Sequence, residues 1–512
     1  MRQAYRVETV RAAERALMAT LPDGTLMQRA AAGLASVCAT LLARRPGRVY
    51  GARVTVLTGP GDNGGDALYA GARLARRGAV VTAIAPGGRV HEGGAAGLRA
   101  AGGRILREAS GAAMEADLII DGMLGIGGHG GLREPYATLA GLAQRARTRT
   151  GSTVVAVDLP SGIDADTGVV AGPAVTADVT VTFGVIKPGL LIDPGAGHAG
   201  SVQLIDIGLE PSLEHGVEHG LARTPPEARA PQHADIRALL PRPGAESDKY
   251  RRGVVGLLAG SDRFAGAAVL SAGGAIHGGA GMVRVVTAAS AAQAVRQAWP
   301  EAVVTVHTQD SDPTAAGRVQ AWVAGPGMGT DQAAGRRLEA VLGTSLPVLV
   351  DADGLTLLAG FEKLAAGRSA PTLITPHAGE LARLLGTDPA SVEAHRLEHV
   401  RRAAAELGVT VLLKGSTTVI ADPGATTVLV NPTGTPWLAT AGSGDVLSGL
   451  AGALLAQGLR PADAAIAAAY LHGLAGRLAA VAPAPGEETT SEAPIGASDV
   501  IRGLPDAFRA LG

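Results

Sequence analysis

Aromatic residues make up only 3% of this 512-residue chain, and Cys38 is its single cysteine. One cysteine excludes an internal disulfide, and its place in an Ala-rich stretch suits a small buried hydrophobe. With so few aromatics the core must rest on Val, Leu, Ile and Ala, the composition of parallel sheets covered by helices. Lysine is also scarce, at Lys187, Lys249, Lys363 and Lys414 alone. Lys plus Arg number 45 against 46 Asp plus Glu, so no basic excess points to nucleic acid or an anionic membrane. There is no Gly-Lys dipeptide, hence no Walker A loop, and no His-Glu-x-x-His zinc helix. Charges at Arg2, Arg6, Glu8, Arg11, Glu14 and Arg15 fall where a signal peptide needs an apolar run. No segment reads as a membrane span, and a cytoplasmic location is expected.

Apolar residues reach 46%, enough to fill more than one core, and 512 residues exceed what a single core holds. Residues 1–45 read as amphipathic helix. Short apolar runs then alternate with helical spacing: Val54–Leu57, Val80–Ile84, Leu118–Ile120, Val154–Val157, Val179–Phe183 and Val202–Ile205. The pattern lapses into Pro, His, Glu and Arg, and resumes at Val254–Ala259, Val283–Val286, Trp322–Ala324, Val348–Val350, Leu373–Thr375 and Val411–Leu413. Such alternation predicts an α/β fold of two three-layer αβα domains, residues 1–212 and 235–512, joined by a linker at 213–234.

In the first half, a strand runs into Gly59-Pro60-Gly61-Asp62-Asn63-Gly64-Gly65-Asp66. The glycines satisfy G-x-G-x-x-G, yet Asp62 and Asp66 put negative charge where a pyrophosphate would lie, and no ribose-binding acid ends the next strand. Amide and carboxylate oxygens suit a cation or a sugar hydroxyl better. Two further strands end in acids, Asp121-Gly122-Met123-Leu124-Gly125 and Asp158-Leu159-Pro160-Ser161-Gly162-Ile163-Asp164. Ligands of open α/β sheets bind at such carboxyl edges.

These three motifs resemble the NAD(P)H-hydrate epimerase family, with its Rossmann-like doubly wound sheet, over roughly residues 5–210. The resemblance implies that Asp158 is the acid/base interconverting the R and S forms of the hydrated nicotinamide. It implies a potassium ion on Asn63, Asp121 and Ser161. Substrate contacts would fall on Asp62, Asn63, Gly64, Gly65 and Asp66, and on Gly125, Ile126, Gly127, Gly128, His129, Gly130 and Gly131. Asp62 stands where the family usually has Asn, and Ala67 replaces a usual Gly.

The second half carries Gly325-Pro326-Gly327, Thr375-Pro376-His377 and Leu413-Lys414-Gly415-Ser416-Thr417-Thr418 after its strands. It ends in Ala441-Gly442-Ser443-Gly444-Asp445 opening a helix. Small residues at a helix N-terminus let backbone N–H groups gather on a phosphate. An acid there would repel phosphate unless it had chemistry to do, which makes Asp445 the candidate base; the alternative is an N-capping Asp. Lys414 reads as a phosphate contact or a solvated turn lysine, and His377 as a ligand contact or a helix-start residue.

This set resembles the ribokinase-like superfamily and, more closely, the ADP-dependent NAD(P)H-hydrate dehydratases, over roughly residues 235–510. Here Ala441-Gly442-Ser443 replaces the family's usual Gly-Gly-Thr or Gly-Gly-Met. The resemblance implies the nucleotide on Lys414, Gly415, Ser416, Thr417, Thr418 and Gly444, and the hydrate against Ala267, Gly327, His377 and Asp445. It brings Mg²⁺ and ADP as co-substrate, NADHX and NADPHX as small-molecule partners, and assembly into a homo-oligomer. A second reading makes this half a vitamin-precursor kinase and the first half a non-catalytic nucleotide-binding module. A kinase leaves a stable phosphorylated product, whereas repair regenerates reduced nicotinamide.

Overall fold

Alternate residues of the central N-terminal strands are buried on opposite faces. Val54 and Val56 of β1 (Arg53–Thr58) join one apolar cluster with Leu118 and Ile120 of β4 (Leu118–Gly122) and Val155 and Val157 of β5 (Thr153–Val157). Leu57, Ile119 and Val154 enter a second cluster on the other side. A strand buried on both faces must be covered on both, which makes three layers. With β2 (Val80–Ile84), β3 (Arg104–Leu106), β6 (Val179–Phe183) and β7 (Ser201–Ile205), the strands form a seven-stranded sheet in the order β3-β2-β1-β4-β5-β6-β7. Every pairing in it is parallel. β3 lacks an apolar run, its residues being only partly buried at the sheet edge, and was not expected.

The computed structural model describes residues 1–44, 47–109, 111–209, 224–309, 311–359, 368–481 and 492–512. It divides into two compact units, Gln3–Ala228 and Met1–Arg2 with Arg229–Gly512. Of the expected linker, residues 213–223 lie outside the described residues, and Ala228–Ala230 is a short strand.

The single helix expected over residues 1–45 is two, Val7–Met18 and Thr25–Arg44, separated at Pro22-Asp23-Gly24, where Gly24 takes φ +76°. Thr25–Arg44 also corrects the reading that no segment approaches a membrane span. Its 20 residues are long and apolar enough to cross one by length and composition. Leu26, Ala30, Leu34, Cys38 and Leu42 nevertheless form a stripe inside the N-terminal core.

In the C-terminal unit nine strands take the order β16-β15-β14-β13-β12-β11-β8-β9-β10 within its sheet. They are β8 (Val254–Leu258), β9 (Met282–Thr287), β10 (Val303–Val306), β11 (Ala321–Ala324), β12 (Val348–Val350), β13 (Thr372–Ile374), β14 (Thr410–Leu413), β15 (Thr418–Ala421) and β16 (Val428–Asn431). β8 to β14 are parallel, and the last two antiparallel strands, like β10, were not expected. Helices Ala265–His277 and Ser443–Ala456 cross closely over this sheet. A Cβ at Gly449 would stand 2.0 Å from the Ser271 carbonyl oxygen, and one at Gly274 2.2 Å from that of Val446.

Gly449→Ala should therefore lower the stability of the C-terminal unit by about 1–3 kcal/mol, the usual cost of overpacking. Gly266→Ala, with nothing within 4 Å of the added Cβ, should cost nothing. Denaturant midpoints of the two variants check this.

Candidate active sites

In the N-terminal sheet the chain winds from β1 towards β3 on one side and from β4 towards β7 on the other, so the loops after β1 and β4 part. The crevice that opens at their carboxyl ends is where such sheets bind ligands. The glycine-rich segment is shorter as a loop than expected: helix Asp62–Arg76 begins at Asp62, so Asp62–Asp66 form its first turn. Asn63 Nδ2 donates to the Leu124 carbonyl at 3.0 Å. The Asp121 carboxylate at the end of β4 accepts from Ser161 N at 2.8 Å and Ser161 Oγ at 2.7 Å. The structure thus brings Asn63, Asp121 and Ser161 together around residue 124. Asp121 is fully buried, and burial raises its carboxyl from 3.8 to about 6, against the hydrogen bonds from Ser161.

Asp158 follows β5 with φ +65°, a conformation that costs a non-glycine residue on the order of 1–3 kcal/mol and is held only by its surroundings. Those surroundings are the Lys187 ammonium, which pairs with its carboxylate, Thr182 Oγ1 at 3.1 Å and Phe183 N at 3.3 Å. Asp158 is 8% exposed and Lys187 is 1% exposed. Lys187 was counted only as a scarce residue, and its signal was an ammonium set in the apolar run Phe183–Leu191. Glu14 was missed too. It lines a cavity of ≈ 320 Å³ with Asp62, Asp66 and Phe183. Burial, then the negative charges of Asp158 and Asp62, raise the Asp66 carboxyl well above its ordinary range, and one Asp66 oxygen is enclosed without a partner. The Glu14 carboxyl is raised by burial and by Asp158, against the pull of Lys187.

Of the expected substrate residues, Asp62 and Asp66 face this cavity, while Gly64 and Gly65 are buried in the helix beside them. Gly125 adjoins the Asn63 side chain, and Gly131 backs onto Gly172. His129 is exposed, 3.5 Å from the Asp164 carboxylate. Gly125–Gly131 are not among the residues around the 320 Å³ space.

In the C-terminal unit Lys414 leaves the end of β14, with Nζ 2.8 Å from Asp351 Oδ1 and 3.7 Å from Glu380 Oε2. Burial opposes its charge, but Asp351 and Glu380 outweigh that and raise its pKa. Asp351 is 1% exposed and also takes a hydrogen bond from Ser448 Oγ at 2.5 Å. It escaped the sequence reading although Val348-Leu349-Val350-Asp351 repeats the strand-end acid seen twice in the first half. Asp445 lies in the first turn of helix Ser443–Ala456. Burial first, then the Asp351 charge, raise its carboxyl to about 7 despite Lys414.

Lys414, Gly415, Ser416, Thr418 and Gly444 line a cavity of ≈ 600 Å³. Beneath it lies Arg396, also unforeseen and 1% exposed, which donates to the carbonyls of Leu413, Lys414 and Thr417 at 3.2, 2.8 and 3.3 Å. A Cβ at Gly415 would stand 2.3 Å from its Nη2, so the loop closes over the guanidinium only with glycine there. His472 lines the same space and reaches the Ser443 carbonyl at 2.9 Å; burial keeps it neutral, down to about 4. His377 stands at a helix start, as one of its two expected settings had it: its Nδ1 caps helix Ala378–Leu385, accepting from Gly379 N at 3.0 Å and Glu380 N at 3.3 Å, and the residue also borders the cavity. Ala267 and Gly327 adjoin one another, a Cβ on Gly327 falling 2.7 Å from that of Ala267. They stand where β8 and β11 diverge, the switch point of this sheet.

Fold and sites define a two-domain α/β enzyme with one acid-and-lysine centre at the carboxyl edge of each sheet. A family model described as NAD(P)H-hydrate dehydratase matches residues 255–493, and one described as YjeF-related protein N-terminus matches residues 23–189. The bifunctional NAD(P)H-hydrate repair enzyme Nnr of Mycobacterium leprae is 49% identical over 512 residues, 100% of both chains. That of Mycobacterium tuberculosis is 49% identical over 466 residues, 91% of each. A solved ADP/ATP-dependent NAD(P)H-hydrate dehydratase from Bacillus subtilis, co-crystallised with ATP and Mg²⁺, is 29% identical, covering 55% of this chain and 98% of its own, with a TM-score of 0.48. The chain belongs to the family of bifunctional NAD(P)H-hydrate repair enzymes.

Lys187→Met should destabilise the N-terminal unit by about 3–5 kcal/mol, because it strands Asp158 as a buried charge. Adding Asp158→Asn should recover much of the loss, since Asn also tolerates positive φ. A double-mutant cycle in denaturant measures both.

Proposed function

We propose that the chain repairs hydrated NADH and NADPH in two steps, exchanging the R and S hydrates at the N-terminal site and dehydrating the S form at the C-terminal site. The observation that carries it is Asp445: a carboxyl raised to about 7 at a helix N-terminus, beside Lys414 and a cavity of ≈ 600 Å³.

At the C-terminal site Asp445 takes the proton of the hydrate hydroxyl as that oxygen attacks the terminal phosphoryl of ADP, entering as its magnesium complex, and AMP leaves. The phosphate then departs from the ring with a proton from the adjacent carbon, regenerating the dihydronicotinamide. Hydroxide is a poor leaving group and phosphate a good one, so nucleotide consumption drives the dehydration. Backbone N–H groups of Ala441–Gly444 and the Lys414 ammonium face the charge on the transferring group. Ala267, Gly327 and His377 bound the hydrate, and Lys414–Thr418 with Gly444 hold the nucleotide.

At the N-terminal site Asp158 exchanges a proton with the hydrate while its hydroxyl-bearing carbon changes hand, and Lys187 holds that carboxylate in place. Asp62–Asp66 and Gly125–Gly131 contact the substrate. Asn63, Asp121 and Ser161 would hold a potassium ion. Their oxygens are hard donors, and Asp121 is a fully buried carboxylate that accepts from Met123 N, Ser161 N and Ser161 Oγ, all neutral donors. Bound there, the ion would supply positive charge to fix the loop at residue 124.

Three outcomes are expected. Asp445→Asn lowers the dehydration kcat by at least ~10²-fold, and in the unaltered chain kcat/KM rises with pH through about 7, because the base acts deprotonated. Asp158→Asn, given mixed hydrates and ADP, stops with the R form left over, followed by reduced-nicotinamide absorbance. At Asp121 the folded pKa is raised from 3.8 to about 6, so ionisation costs the fold about 3 kcal/mol at pH 7 and nothing below pH 4. A bound cation offsets that cost, so Tm at pH 7 is higher in potassium than in tetramethylammonium chloride. The difference shrinks at pH 5 and disappears in Asp121→Asn.

A further inference from the structure

A third cavity, of ≈ 480 Å³, is lined by residues that follow β8, β9 and β10 and by the first turns of helix Gln332–Leu342 after β11, and none of the residues discussed above for either activity lines it. Arg337 is 6% exposed, lines this space, and has its Nε enclosed with no hydrogen-bond partner. A buried guanidinium at the wall of a cavity suits an anionic ligand. The start of helix Ala289–Ala298 faces the same space, and its N-cap, Ala288, offers no side-chain acceptor to the first N–H groups. A guanidinium and an unsatisfied helix N-terminus together suit a phosphate. Two carboxylates also line it: Asp262, which accepts from Ser290 Oγ at 2.6 Å, and Asp331, which accepts from Ala334 N at 2.7 Å. A bare anion would meet these acids, whereas a phosphate carried on a sugar brings hydroxyls that donate to them.

We propose that this cavity binds a ribose-linked phosphate, with Arg337 as its buried cation and the N-terminus of helix Ala289–Ala298 as its backbone donor. Strand order names the favoured source. From β14 to β10 the sheet presents in turn the nucleotide loop, the Ala267–Gly327 switch point and this cavity. At ~5 Å per strand, β10 lies on the order of 10 Å beyond β8. A hydrated dinucleotide with its nicotinamide at the switch point would reach the cavity with its adenosine end. That choice of source rests on the dehydratase reading; the binding site itself does not.

Two measurements on the full chain test it. In calorimetry with adenosine 2′-phosphate, after saturation with ADP and Mg²⁺, Arg337→Gln should weaken binding at least tenfold and Arg337→Lys less. In initial rates with the purified S form of NADPHX, which carries that 2′-phosphate, Arg337→Gln should raise KM severalfold at little cost in kcat. Loss in both assigns the cavity to the remote end of the substrate. Loss in calorimetry alone assigns it to a free nucleotide. Unchanged calorimetric binding in Arg337→Gln overturns the proposal, and absence of any dehydration in the unaltered chain sinks the dehydratase reading while leaving the calorimetric result to stand.

Discussion

An ammonium set against a buried carboxylate at the end of a parallel strand is the interaction on which both units depend. Lys187 meets Asp158 in one and Lys414 meets Asp351 in the other. Either charge alone would be expensive away from water, and together they are tolerable only because hydrogen bonds from Thr182, Phe183 and Ser448 complete the shells. Two of the chain's four lysines serve in this way. Burial first, then the like charge of Asp158 and of Asp351 respectively, raise the Asp66 and Asp445 carboxyls above the ordinary carboxylate range.

The two centres put that device to different uses. In the N-terminal unit the lysine binds the candidate acid/base itself, so Asp158 is fixed in orientation at the cost of a positive φ. In the C-terminal unit the lysine belongs to a neighbouring acid, and Asp445 feels it at a distance, against the opposing charge of Asp351. In the second arrangement burial and Asp351 bring the Asp445 carboxyl near neutrality, while the first holds its carboxylate rigid.

Much of this was legible. The apolar run Val348–Val350 matched its strand to the residue because a doubly buried strand must be continuously apolar. Edge and near-edge strands such as Arg104–Leu106 and Val303–Val306 escaped because partial exposure removes that demand. The break after Met18 was hidden by apolar spacing that continues on both sides of Pro22-Asp23-Gly24. Asp121, Asp158 and Asp445 could be singled out because each follows a recognisable strand or opens a recognisable helix.

What the sequence determined by itself is where the chain leaves its strands and which acids stand there, since both depend on neighbours within a few residues. Only the tertiary structure decided which charges answer them. Lys187 lies 29 residues beyond Asp158, and Lys414 lies 63 beyond Asp351. Arg396 reaches the Lys414 loop from a different helix. Those pairings arise from strand order, which brings distant chain ends to one sheet edge, and no local pattern encodes the distance between them.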